Sequence, residues 1–130
     1  MSVDVNWFDT AKTIVRYDFS GKWTWNEVYA AVDEAIMLEN SVPHRVDVLL
    51  NLLDSGHIPP NAITHVKTIA TTKMPDNVKM AVLITQNRAM QTLFNIGSRL
   101  YRKIEAQFYV ATSVDTALEV IEKSRMQQPT

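Results

Sequence analysis

The stretch Val46-Asp47-Val48-Leu49-Leu50-Asn51-Leu52-Leu53, followed at once by Asp54-Ser55-Gly56-His57-Ile58-Pro59-Pro60, decides the fold. Its first half is apolar with little alternation, the pattern of a strand covered by helices on both faces and so placed at the centre of a sheet. Its second half breaks that pattern with turn-forming residues. Beyond the break, Ala62, Ile63, Val66, Ile69 and Ala70 repeat at helical spacing, and Pro60 suits the first turn of the helix they define.

Toward the N-terminus, residues 3–8 and 13–19 are short runs of Val, Ile and aromatics joined by Asp9-Thr10-Ala11-Lys12, which reads as a hairpin. Ile14, Arg16 and Asp18 alternate with Val15, Tyr17 and Phe19, so one face is buried and the other wetter. Thr24 and Glu27 have capping-box spacing, and Trp23 and Val28 occupy the two positions of a hydrophobic staple. A helix is therefore predicted from Trp25 to about Leu38, with Trp25, Val28, Tyr29, Val32, Ala35 and Ile36 on its packed face. Asp33, Glu34 and Glu39 are expected outside that face or at its margin.

Toward the C-terminus, Met74-Pro75-Asp76-Asn77 is a turn and Val78–Ile84 a second buried strand. Asn87 is placed to cap a third helix whose apolar stripe is Met90, Leu93, Phe94, Gly97, Leu100 and Tyr101, with Arg99, Arg102 and Lys103 suited to its C-terminal dipole. Gln107–Ala111 is a final strand, and Thr112 or Ser113 caps a last helix carrying Val114, Ala117, Leu118 and Ile121. The predicted order is β-β-α-β-α-β-α-β-α in a single domain over residues 1–130. Strands separated by helices imply an α/β fold with a mostly parallel sheet, to which the first hairpin adds an antiparallel edge.

Composition narrows the functional classes. Thirteen basic against fourteen acidic residues give a net charge of -1, so no overall field favours nucleic acid or an anionic membrane. The absence of cysteine removes disulfides, thiol catalysis and thiolate metal sites, and it fits a reducing compartment. The first residues lack the basic stretch and apolar core of a signal peptide, and no segment approaches a membrane span, so a cytoplasmic location is expected.

No motif points to catalysis. With only Gly21, Gly56 and Gly97 there is neither a dinucleotide-binding nor a triphosphate-binding glycine loop, and there is no G-x-S-x-G elbow. His44, His57 and His65 lack the pairing of a zinc site and read as surface histidines, so no metal or cofactor is expected. Trp23, Trp25 and Tyr29 read as core packing rather than a stacking platform. Asp47 and Asp54 lie on or beside the central strand, seven apart, and point to opposite faces if the strand is regular, which separates them as an acid–base pair. Asp54-Ser55-Gly56 lies where a central parallel strand gives way to a helix, the usual ligand position of open α/β sheets. The following helix would present free N–H groups to an anion or to a phosphate on Ser55, with Asp54 opposing it.

The element order, with Asp54-Ser55-Gly56 after the third strand, resembles the STAS fold of SpoIIAA-type anti-sigma-factor antagonists over nearly the whole chain. The chain is most similar to small bacterial SpoIIAA-like proteins related to the STAS/SEC14-like lipid-binding branch. That similarity runs through Phe19-Ser20-Gly21-Lys22-Trp23-Thr24 and through Phe108-Tyr109-Val110-Ala111 followed by Ser113-Val114-Asp115-Thr116-Ala117. In the sporulation antagonists the loop serine is phosphorylated by a partner kinase, and Ser55 is the residue that matches it. One serine of the family loop is missing here, and His57-Ile58-Pro59-Pro60 replaces its apolar helix start. The resemblance implies a non-enzymatic regulatory or protein-interaction domain acting through Asp54, Ser55, Gly56 and His57. The lipid-binding branch implies the alternative, a small carrier enclosing an apolar ligand between helices, here beneath the second and third. A symmetric homodimer is the expected assembly.

Overall fold

Five strands, β1 (Val3–Trp7), β2 (Ile14–Gly21), β3 (Val46–Ser55), β4 (Val78–Ile84) and β5 (Gln107–Ala111), form one sheet in sequential order with β3 at its centre. β1 and β2 pair antiparallel, and every later pair is parallel. This computed structural model describes residues 2–72, 74–92, 95 and 107–127. Three helices are α1 (Trp25–Asn40), α2 (Ala62–Thr72) and α3 (Val114–Gln127), and residues 88–92 are also helical. Leu93, Phe94, Gly97, Leu100 and Tyr101 of the predicted third stripe, with Arg99, Arg102 and Lys103, lie outside the described residues.

Alternation along the strands divides the core in two. Val15, Tyr17 and Phe19 of β2 and Val46, Val48 and Leu52 of β3 join Val28, Val32 and Ala35 of α1 on one side. Ile14, Leu49, Met80, Val82 and Ile84 meet Ala117 and Ile121 of α3 on the other. β3 is thus covered on both faces, as its largely apolar, little-alternating sequence requires.

Local chemistry fixes the element ends. Lys12 takes a left-handed φ of 57° in the first hairpin, and the Asp9 carboxylate accepts from the backbone N–H groups of Thr13 and Ile14 and from the Thr13 hydroxyl. Burial raises the Asp9 carboxyl, but these hydrogen bonds outweigh it and hold the group below its ordinary value. The capping box of Thr24 and Glu27 is present, Asn87 Oδ1 accepts from Ala89 and Met90 N–H, and Ser113 rather than Thr112 caps α3.

Asp47 is wholly buried and is held by charge. Its carboxylate receives Arg45 Nε at 3.1 Å and Arg125 Nε at 2.8 Å, while Arg125 also reaches the Thr13 carbonyl and Arg45 the Ser124 hydroxyl. This cluster fastens the last turn of α3 to the sheet.

Three expectations are corrected. β3 continues through Ser55, because an irregularity in β2 between Asp18 and Ser20 restores pairing of Ser20 with Asp54 and Gly21 with Ser55. Pro60 lies outside α2, since Asn61 turns the chain at φ 68° immediately before the helix begins. Glu39 is buried rather than marginal, at 3% exposure. It follows Val28, Val32 and Ala35 at helical spacing, so the periodicity that buries those residues buries it too.

Candidate functional site

The Asp54–His57 segment divides in two. Asp54 and Ser55 end β3, whereas Gly56 and His57 begin the loop that leads to α2. Asp54, Gly56 and His57 are exposed and Ser55 is half-buried. Gly56 donates its N–H to the Gly21 carbonyl at 2.9 Å, and a Cβ on Gly56 would stand 3.0 Å from that oxygen. A side chain here would crowd the Gly21 carbonyl, which glycine avoids. Residues 56–61 separate Ser55 from the first turn of α2, so that helix end does not directly follow the serine.

Two tryptophans hold this segment. Trp23 Nε1 donates to Ser55 Oγ at 2.8 Å, and Trp25 Nε1 donates to the Pro60 carbonyl at 2.8 Å. Trp23 packs edge-on to both Phe19 and Trp25. Trp25 stacks on His65 with centroids 4.7 Å apart, and Tyr29 Oη meets His65 Nδ1 at 2.9 Å. Trp23 is buried as core packing predicts, but Trp25 and Tyr29 are only half-buried. Sequence reasoning missed that the indole N–H groups also fasten the loop, because that role depends on long-range contacts.

Ser55 is not arranged as a nucleophile. Its hydroxyl accepts from Trp23 and donates to the Gly56 carbonyl at 3.2 Å, and neither partner can take up a proton. Among the described residues no group of three or more His, Cys, Asp or Glu side chains could hold a metal ion. No described helix is long and apolar enough to cross a membrane.

A second feature lies between α1, α2 and the sheet. Val32, Ile36, Val48, Leu50, Ile69 and Ala81 are among the apolar walls of a cavity of about 100 Å³, and Tyr17 and Glu39 are its ionisable lining residues. The Glu39 side chain has no hydrogen-bond or ion-pair partner among the described residues, although its backbone carbonyl accepts from Asn77 Nδ2. Burial pushes its carboxyl up to about 8. Burial, then the nearby charges of Glu39 and Asp33, push the Tyr17 hydroxyl up as well. Both groups are therefore held in their protonated forms near neutral pH. The signal for Glu39 was present in the helical spacing, but its charged side chain argued for solvent.

The sheet, helices and two candidate places define an α/β domain with a mostly parallel five-stranded sheet. No protein-family model, curated protein or solved structure matches the chain.

Proposed function

We propose that the chain is a non-enzymatic regulatory or protein-interaction domain of SpoIIAA-like, STAS type, whose contact surface is Asp54, Ser55, Gly56 and His57. The observation that carries this reading is the half-buried Ser55 hydroxyl, held by one indole N–H at the exposed end of the central strand. A phosphate on Ser55 replaces the hydroxyl proton, removes the donor to the Gly56 carbonyl and sets negative charge beside Asp54. The loop changes while the core beneath it stays packed.

The test compares Ser55→Ala and Ser55→Asp as baits against extracts of the source organism. A partner retained by the parent and by Ser55→Ala, and lost with Ser55→Asp, supports the switch. Equal retention by all three reduces Ser55 to a turn residue.

The cavity beside Glu39 favours a second reading, a small carrier of an apolar ligand. Its walls are mostly apolar side chains from α1, α2 and the sheet, and concave apolar surfaces of this kind are where small ligands bury themselves. Native mass spectrometry of the purified protein checks this reading by the added mass of a copurified compound.

A further inference from the structure

An acid in the last turn of a helix sits at the unfavourable end of the helix dipole, and burying it without a partner adds a desolvation penalty. Glu39 bears both burdens in the last turn of α1, where there is no basic residue. Burial is what raises its carboxyl, and no neighbouring cation works against the rise. No wholly buried side-chain oxygen among the described residues lacks a partner, so the unpartnered carboxyl oxygens of Glu39 retain some accessible surface, and the residue lines the cavity. Tyr17, its other ionisable wall, is likewise an oxygen acid. The described lining thus combines an apolar body with one acidic corner at a negative helix end, and nothing basic answers it.

We propose that this cavity is a binding site for a small apolar amine, whose hydrocarbon part fills the space between α1, α2 and the sheet and whose nitrogen pairs with the Glu39 carboxylate. This rests on the carrier reading and names its ligand class. An apolar cavity of about 150 Å³ accommodates benzene, so one of about 100 Å³ takes on the order of four carbon atoms. An anionic ligand finds no cation on the described walls. A neutral alcohol forms only an uncharged hydrogen bond there, weaker than the charge-assisted pair an ammonium makes. The proton balance is simple. The amine arrives as its ammonium ion, Glu39 releases its carboxyl proton to solvent, and the bound pair is neutral. Tyr17 keeps its proton throughout.

The experiment uses the whole chain with n-butylamine, n-butanol, butyrate and xenon as probes. Binding is read from NMR shifts of the Val32, Ile36 and Val48 methyl groups, and proton release at pH 7 from calorimetry in two buffers of different ionisation enthalpy. The expected result is n-butylamine binding about tenfold or more tighter than n-butanol, with butyrate weakest and proton release seen for the amine alone. Glu39→Gln should abolish the amine preference while xenon and n-butanol bind as before. If n-butanol or xenon shifts these methyls and n-butylamine binds no tighter than n-butanol, the amine assignment is overturned while the carrier reading stands. If none of the four probes shifts them, the carrier reading falls and takes the amine with it. The parent protein alone decides between these outcomes, so the result does not hinge on the variant's folding.

Discussion

At the scale of single residues, Glu39 works against folding. In the folded chain its carboxyl holds its proton up to about pH 8, well above the ordinary value of 4.5. Between these two values the folded state binds more protons than the unfolded one, so stability falls as pH rises through that window. A tenfold difference in proton affinity is worth about 1.4 kcal/mol, which makes the full effect on the order of a few kcal/mol. Glu39→Gln should match the parent only below about pH 4, where the carboxyl is protonated in the folded and the unfolded chain alike. It should then melt progressively higher than the parent toward pH 8, as thermal unfolding across that range would show. Parallel pH profiles for the two proteins would mean that the carboxyl ionises freely in the fold. Gly56 is a residue of the opposite kind, since its lack of a side chain relieves a tight approach to the Gly21 carbonyl. Gly56→Ala forces a Cβ to 3.0 Å from the Gly21 carbonyl and should destabilise by about 1 to 3 kcal/mol in denaturant titrations.

At the scale of elements, α3 depends on charge as well as on its apolar face. Ala117 and Ile121 supply the burial, and Arg125 ties the helix end to Asp47 and to the Thr13 carbonyl. Removing Asp47 leaves the partly buried Arg45 and Arg125 side by side without their counter-ion. Asp47→Ala should therefore destabilise by about 3 to 5 kcal/mol, as the breaking of buried ion pairs does. Arg125→Gln removes one of two partners and should act mainly on α3. Amide exchange would then rise across residues 114–127 while β3 and β4 stay protected. Uniform loss of protection would show that α3 unfolds only with the whole domain.

At the scale of the whole molecule, β1 and β5 are the two edges of the sheet, and symmetric pairing is the commonest assembly of such domains. The chain should self-associate as a dimer, and light scattering that finds a monomer at high micromolar concentration would refute this. Much of the architecture was legible in the sequence. The largely apolar stretch from Val46 to Leu53 requires cover on both faces, and the spacing from Thr24 to Glu27 and from Trp23 to Val28 marks a helix start through contacts only a few residues apart. Ser55 could be placed near a strand end for the same reason. The sequence alone did not determine what Ser55 touches, because its Trp23 partner is thirty-two residues away and reaches it only once β2 and β3 have paired. Nor did it place Glu39 in an apolar cavity. Periodicity allots that position to the buried face and charge allots it to water, and the packing of α1 and α2 over the sheet decided between them. Local signals act within a turn or a strand repeat, so they determine elements and their order. Sites are built from side chains that meet across the fold, and only the tertiary structure decides those.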